Sequence, residues 1–194
     1  MGKFMGLGAI LFLGALVVLL AYGVMLYNGL VGVKHAVARD WANIDVVLKQ
    51  RHDELPKLVE TCKQYKQFEQ VTLQRVVEAR SQVQSAREQQ DVSALGEAEG
   101  ALRAGLGKII ATAESYPELR ANETFMQLLG RITALENTIA DRRELYNDAV
   151  NINNVRVEQF PDSLIARLFG FDAKPLLEFA LAEKSDVDIK SLFG

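Results

Sequence analysis

Residues 5–29 read MGLGAILFLGALVVLLAYGVMLYNG, and this stretch decides the architecture of the chain. No charged side chain occurs between Lys3 and Lys34, and nearly every residue of 5–26 is apolar. An α-helix rises about 1.5 Å per residue, so roughly 20 such residues cross the hydrocarbon layer of a bilayer, which is about 30 Å thick. The stretch therefore predicts a transmembrane helix that contacts membrane lipid through residues 5–26.

Two other interpretations compete with a retained anchor. A core helix of this length would need protein on every side, which a chain of 194 residues supplies only with difficulty. A cleaved export signal also begins with a cation followed by an apolar run. This run is longer than a usual signal core, and LLAYG at 19–23 lacks a small-x-small cleavage pair. We therefore favour residues 1–30 as an N-terminal tail and anchor.

The flanking charges bear on the orientation of the anchor. Lys3 lies before it, whereas Lys34, Arg39 and Lys49 follow it. Because Lys and Arg are retained on the cytoplasmic side, this small excess favours a body in the cytoplasm. The single cysteine, Cys62, permits no intrachain disulfide and leaves both sides of the membrane open.

The charge pattern argues against a nucleic-acid partner. The formal net charge is −3, and acidic and basic residues are interleaved throughout the body. A nucleic-acid binder normally gathers Lys and Arg into a stripe that neutralises phosphates, and no such stripe is visible. The chain beyond the anchor is long enough for one domain with its own core.

The body is predicted to be helical, with only two prolines, Pro56 and Pro117, between residues 33 and 157. In its first segment, apolar side chains recur at steps of three and four residues, as in a bundle helix. They are Val37, Trp41, Ile44, Leu48, Leu55, Leu58, Cys62 and Tyr65. Pro56 should kink this helix unless packing absorbs the bend, and because the stripe resumes at Leu58 we expect one helix.

Three further helices are expected. The second covers about 68–86 after a break near 64–67, and the third begins at Asp91 or Ser93 and ends at ESYP, before Pro117. The fourth contains Phe125, Leu128, Ile132, Leu135, Ile139, Tyr146 and Ala149. Short connections between four such helices predict an antiparallel up-and-down four-helix bundle over 31–158, in an all-α protein.

Glycines in the third segment leave two alternatives. Gly96, Gly100, Gly105 and Gly107 each cost roughly 1 kcal/mol in a helix interior relative to alanine. Either a neighbouring helix approaches closely enough to offset that cost, or the segment is a weak, frayed helix.

The pattern changes in residues 159–194, where Pro161, Gly170 and Pro175 interrupt short apolar clusters. One interpretation places part of this C-terminal tail in the membrane interface as a short amphipathic element. The other packs it on the base of the bundle.

The sequence contains no recognisable catalytic or metal-binding cluster. His35 and His52 are far apart on one helix, and with a single cysteine they fall short of a zinc ligand set. A P-loop, a dinucleotide fingerprint and a nucleophile elbow are all missing from the sequence. Ser115 follows Glu114, but no histidine is placed by sequence to activate it. We therefore predict no catalytic, cofactor-binding or metal-binding residue, no cofactor and no enzyme activity.

Arg51 and Arg142 fall on the apolar stripes of the first and fourth helices, where an unpaired charge would be costly. Each needs an acidic partner. The candidates are Asp45, Glu60, Glu69, Glu114 and Glu136. Such ion pairs can fix helix register, and a catalytic or ligand-binding role is the alternative.

Several separated motifs, in order, resemble the LemA family. They follow an anchor that ends in YNGLV: WANIDVVLKQRHDELPKLVETCKQYKQFE, VVEARS, ESYPELRANETF and ENTIADRRELYNDAVNINN. The resemblance covers about residues 5–160. The chain departs from it at Gln64, Lys66 and Gln67, where the family often has small or turn-favouring residues, so the break between the first two helices is less well defined.

The resemblance implies a bacterial single-pass inner-membrane protein whose soluble part is an antiparallel four-helix bundle. It implies no reaction and no functional residue, and some members are linked to membrane organelles such as magnetosomes. We therefore expect a non-enzymatic scaffold or adaptor that contacts itself or other membrane proteins. A membrane-tethered sensor that binds a ligand or partner at the helix ends is the alternative, and an enzyme is the third hypothesis.

Overall fold

The computed structural model describes residues 2–65 and 69–179, and it describes side chains from residue 8 onward. Within these residues the chain is helical, without strands. The helices are α1 (Gly2–Lys63), α2 (Gln70–Gln89), α3 (Val92–Glu114), α4 (Pro117–Arg120), α5 (Glu123–Glu158) and α6 (Asp162–Phe169). The all-α prediction is confirmed for this part of the chain.

Helix α1 joins the apolar segment to the body without interruption. Its length and composition from Gly8 onward are sufficient to cross a membrane. Side chains such as Phe12 and Val18 are exposed, so the described residues of the chain do not cover them. Pro56 lies inside the helix, with Leu55 and Leu58 buried beside it. Packing of these leucines offsets the backbone hydrogen bond that proline removes.

The apolar stripe predicted for α1 is confirmed, because its members are buried or half-buried. The predicted break falls between the end of α1 at Lys63 and the start of α2 at Gln70, where residues 66–68 lie outside the described part. Two apolar residues of the next helices, Val77 and Ile110, are exposed.

The connection between α2 and α3 is short because both helix ends are capped locally. Gln90 adopts a left-handed conformation (φ 55°), and its N–H donates to the Ala86 and Arg87 carbonyl oxygens. Asp91, one of the two predicted caps, accepts a hydrogen bond from the Ala94 N–H at 3.0 Å. This contact satisfies one of the free N–H groups at the start of α3.

Helix α3 ends at Glu114, as Pro117 predicts, but the chain then forms the short helix α4, which was not predicted. Proline is well suited to the first turn of a helix because no N–H is required there. Asn122 then caps α5 by accepting from the Phe125 N–H at 3.0 Å, and it donates to the Tyr65 hydroxyl at 3.1 Å.

The chain divides into two compact units. The first comprises Met1–Asp40 and Asp148–Lys174, and the second comprises Trp41–Asn147 and Pro175–Gly194. Buried apolar residues of the first include Leu26, Leu30, Val37, Val150 and Ala166. The core of the second includes Ile44, Leu48, Leu58, Val76, Leu95, Leu102, Ile109, Phe125, Ile132 and Ile139.

The glycines of α3 have different surroundings. A Cβ atom at Gly105 would lie 2.8 Å from a methyl carbon of Val76, so helix α2 does approach α3 closely there. A Cβ atom at Gly96 would lie 2.0 Å from the carbonyl oxygen of Glu178, which belongs to the C-terminal segment and not to a helix. Around Gly107 no atom lies within 4 Å of the corresponding position. Close packing therefore accounts for two of these glycines.

Candidate functional site: a buried ion cluster and an asparagine-bound segment

Arg51 is the centre of a buried ion cluster in the second unit. Its guanidinium donates to the carboxylates of Glu99 on α3 and Glu136 on α5. Arg103 also lies beside Glu136, with Nε 3.1 Å from Oε2. Two arginines therefore face two glutamates, and their formal charges cancel.

The centre of the cluster is buried. The side chains of Arg51 and Glu99 are 1% and 0% exposed. Burial is the strongest influence on the pKa of Glu99 and raises it, against the opposing effect of Arg51. Burial also opposes the charge on Arg51, but the two carboxylates outweigh it and raise the pKa of this arginine. Arg51 therefore stays charged.

The sequence-predicted partners are only partly those observed. Glu136 was among the candidates for Arg51, whereas Glu99 was not. The other candidates lie elsewhere: Asp45 pairs with Arg87, Glu60 with Lys63, Glu69 accepts from Thr72, and Glu114 is exposed.

The prediction that Arg142 needs a buried partner was wrong, because its side chain is exposed. The inward face of α5 passes from Ile139 through half-buried Arg143 to Tyr146. Steps of three and four residues allow either Arg142 or Arg143 to lie on the inward face. The orientation of α5 places Arg143 there.

Two further reactive side chains, His52 and Cys62, are half-buried and buried. Arg80 donates through Nε to the His52 carbonyl oxygen at 2.9 Å, and its Nη2 lies 2.6 Å from His52 Nε2. Burial, and then the charge of Arg80, lower the pKa of His52. Burial raises the pKa of Cys62 to about 12. In the described part of the chain, no three His, Cys, Asp or Glu residues could hold a metal ion.

Asparagine side chains of α5 bind residues 171–179, which follow α6 and are called the bound segment below. In the first unit, Asn154 donates to the Lys174 carbonyl oxygen at 2.9 Å and accepts from the Lys174 N–H at 2.8 Å. Asn153 donates to the Asp172 carbonyl oxygen at 3.0 Å. These side-chain amides supply hydrogen-bond partners to backbone groups that lie outside regular secondary structure.

The second unit repeats this arrangement. Asn147 donates to the Leu177 carbonyl oxygen at 3.1 Å and accepts from the Leu177 N–H at 2.8 Å. The Tyr146 hydroxyl donates to the Pro175 carbonyl oxygen at 3.2 Å, and its ring packs on Trp41 with centroids 5.5 Å apart. Leu177 is buried as a result.

Phe179 connects this segment to the ion cluster. Two guanidinium groups lie over its ring, with Cζ of Arg103 4.6 Å and Cζ of Arg143 4.2 Å from the ring centroid. Since Arg103 also pairs with Glu136, one side chain contacts both the bound segment and the cluster. Cation–π contacts of this kind contribute about 0.5–2 kcal/mol.

Sequence reasoning predicted neither the binding of the C-terminal segment by these asparagines nor the contacts of Phe179. A signal for the asparagines was present in NDAVNINN (147–154), since asparagine is a weak helix former and is unexpected in such number inside a helix. No comparable local signal exists for Phe179, because its partners are distant in sequence.

Comparison with known proteins agrees with the motifs. Residues 40–190 match the family model described as the LemA family. The chain belongs to the LemA family. The resemblance found in the sequence motifs is therefore confirmed. The family match and the exposed apolar part of α1 together indicate that this LemA protein is a membrane-associated helical protein.

Three curated magnetosome proteins are similar to part of this chain. Magnetosome protein MamQ 2 and Magnetosome protein MamQ 1 of Paramagnetospirillum magneticum (strain ATCC 700264 / AMB-1) are each 31% identical to this LemA chain over 74 residues. Magnetosome protein MamQ of Magnetospirillum gryphiswaldense (strain DSM 6361 / JCM 21280 / NBRC 15271 / MSR-1) is 28% identical over 74 residues. The match covers 38% of this chain but only 27% of each relative.

Proposed function

We propose that this LemA protein is a non-enzymatic, membrane-anchored scaffold or adaptor that acts through protein–protein contacts. The observation that carries the proposal is the continuity of α1, which runs from the apolar segment into the buried ion cluster at Arg51. One continuous helix thus contains both the apolar segment and the central residue of the ion cluster. Such a connection suits a protein that holds partners at a fixed place on a membrane.

The chemistry of the body supports a structural role. In the ion cluster, arginines and glutamates pair with one another in the interior, which suits the fixing of helix register. Burial raises the pKa of the Cys62 thiol to about 12, which opposes formation of the reactive thiolate. Nucleophilic catalysis needs an activated group within reach of a substrate, and Cys62 does not provide one.

We further propose that the body, residues 31–158 between the anchor at 1–30 and the tail at 159–194, is an antiparallel up-and-down four-helix bundle. Contacts within the second unit support it: residue numbers fall along one helix as they rise along its neighbour. The pairs are Asp45–Arg87 and His52–Arg80 for α1 with α2, and Trp41–Tyr146 and Glu54–Arg131 for α1 with α5. Pairs of cysteines at 45/87 and 41/146 should crosslink, whereas 45/131 should not.

The proposed location is the bacterial inner membrane, crossed once, with the body in the cytoplasm. The charges after the anchor, Lys34, Arg39 and Lys49, support this orientation. In intact cells, a Val46→Cys variant in a Cys62→Ser background should resist an impermeant maleimide until the cells are opened. Labelling in intact cells would place the body outside.

Self-assembly is tested most directly in the membrane. Single cysteines placed along 14–25, in the Cys62→Ser background, should form disulfides between copies at every third or fourth position. The native mass of the full-length protein in mild detergent should correspond to a defined oligomer. A strictly monomeric mass with no crosslinks along the anchor would exclude homo-oligomeric assembly, leaving an adaptor for other proteins.

One observation favours a sensor as a second function. The bound segment reaches the ion cluster through Phe179 and Arg103, so displacement of the segment by a partner would alter the packing of the core. A fluorophore at Leu176→Cys in the full-length protein, again without Cys62, would report release. An excess of the peptide FDAKPLLEF, which copies 171–179, should displace the segment if this function is correct. An unchanged signal at saturating peptide would exclude it.

A further inference from the structure

Helix α6 carries an exposed apolar face. Leu164 and Leu168, one turn apart, are 58% and 74% exposed, and Phe169 beside them is 56% exposed. Phe160, just before the helix, is 79% exposed. Residues four apart share one side of a helix, so Leu164 and Leu168 form an apolar stripe along α6 that its own unit leaves uncovered.

The opposite side of α6 is held firmly. Asp162 is buried and accepts hydrogen bonds from Arg156 of α5, and Ala166, one turn later, is fully buried. Arg156 in turn packs against α1, since a Cβ atom at Gly29 would lie 2.6 Å from its Nη1. The outward direction of the leucines is therefore fixed by a buried ion pair and is not a matter of loose packing.

This attachment places α6 at the end of the apolar segment of α1. The ring of Tyr27 contacts those of Phe169 and Phe171, with centroids 4.8 and 5.7 Å apart. Residues 5–26 span about 33 Å at 1.5 Å per residue, roughly the thickness of the hydrocarbon layer. Tyr27 thus lies where aromatic side chains line the boundary between lipid and water.

We propose that the face of α6 formed by Leu164, Leu168 and Phe169 inserts into the membrane interface beside the anchor, so that the protein binds the lipid surface at a second place. The inference rests on the proposed membrane anchoring. Its insertion fixes the rotation and depth of the anchor, because α6 is joined to α1 through Arg156 and Gly29.

A lipid surface fits this face better than a second copy of the chain. The face is continuous with the lipid-exposed side chains of the anchor through the Tyr27–Phe169 contact. Arg167, exposed between the leucines, would lose hydration inside a protein interface. At a bilayer surface its stem lies along the acyl chains while its guanidinium reaches the phosphates.

The test uses the full-length protein in lipid nanodiscs, with one nitroxide label at a time and with Cys62 replaced by serine. Labels are placed at Val18 in the anchor, at Leu168, and at Val46, an exposed apolar residue of the second unit. Collisions with oxygen report lipid, and collisions with a water-soluble nickel chelate report water. We expect the label at 168 to favour oxygen, as at 18, and the label at 46 to favour nickel.

A substitution on the same face provides a second measurement. Leu164→Glu should shift the label at 168 toward nickel, whereas Val77→Glu, on an exposed part of α2, should leave it unchanged. Nickel access at 168 equal to that at 46, with 18 still in lipid, would overturn this inference alone. Nickel access at 18 would overturn the membrane anchoring as well. Spin–spin broadening at 168 with loss of both collision signals would assign the face to a second copy and also overturn the inference.

Discussion

At the scale of single residues, the ion cluster shows how a buried charge is tolerated. Arg51 interrupts an apolar stripe, yet among the described residues it is one of the largest side chains that are fully buried. Its desolvation is offset only because two carboxylates from different helices reach it at once. The cluster therefore depends on helix register, and any slip of α3 or α5 would leave charges unpaired in the interior.

Removing Arg51 should be severe, because Glu99 would be left buried and unpaired. We expect Arg51→Met to lower the free energy of unfolding by about 3–5 kcal/mol, measured by denaturant titration of the full-length protein in detergent. Arg142→Met, at an exposed position on α5, should change it by no more than about 0.5 kcal/mol. Equal losses for the two variants would contradict the assignment of Arg51 to the cluster.

Cys62 should be unreactive in the folded protein. Its folded pKa is raised to about 12, whereas an unfolded thiol has a pKa near 8.5. The neutral thiol is favoured by folding, so its contribution to stability is complete below about pH 8.5 and is lost as the pH rises toward 12. At pH 8, a thiol reagent should modify the native protein far more slowly than the denatured one, and similar rates would contradict the burial.

At the scale of secondary-structure elements, the close approach of α2 to α3 depends on an absent side chain. The missing side chain at Gly105 leaves room for Val76, which is completely buried. Val76 cannot easily move aside because its β-branched side chain has few rotamers. The helical cost of this glycine is offset by packing, whereas Gly107 has no such compensation.

Alanine substitutions at these two glycines should therefore have opposite effects. Gly107→Ala should stabilise the protein by about 0.5–1 kcal/mol, because alanine favours the helix and the new methyl group meets open space. Gly105→Ala should destabilise it by about 1–3 kcal/mol, since its Cβ atom would overlap the Val76 methyl group. Thermal unfolding followed by circular dichroism distinguishes the two variants. A higher melting temperature for both would contradict the close approach of α2 to α3 at Gly105.

At the scale of the whole molecule, the C-terminal segment is bound mostly through its backbone. Asn147 and Asn154 each donate to a carbonyl oxygen and accept from the N–H of the same residue, as a neighbouring strand would. Buried Leu177 and Phe179 add apolar contacts. The segment is therefore part of the fold, in agreement with the interpretation that packs the tail on protein, while α6 exposes the apolar face expected of an amphipathic element.

Loss of one asparagine should release the segment. Asn147→Ala removes both hydrogen bonds to Leu177, and each is worth about 0.5–1.5 kcal/mol. Hydrogen exchange measured by mass spectrometry should therefore become faster in peptides that cover 175–179. Asn151→Ala, at an exposed position in the same helix, should leave that exchange unchanged. Unchanged protection in Asn147→Ala would show that Leu177 and Phe179 alone retain the segment.

The sequence by itself determined those features whose causes lie within a few neighbouring residues. The uncharged run from Lys3 to Lys34 specifies the long apolar helix, Asp91 specifies a helix start, and Pro117 ends α3. The apolar stripe of α1 was predictable for the same reason, because a helical period is a local property.

Only the tertiary structure decided which distant groups meet. Glu99 joins Arg51, Arg143 rather than Arg142 turns inward, and Gly96 accommodates the backbone of Glu178. Each outcome depends on how one helix is rotated and shifted against elements far away in the chain. Three- and four-residue periodicity leaves several such arrangements equally acceptable, and they are distinguished only when side chains from separate helices must share one interior.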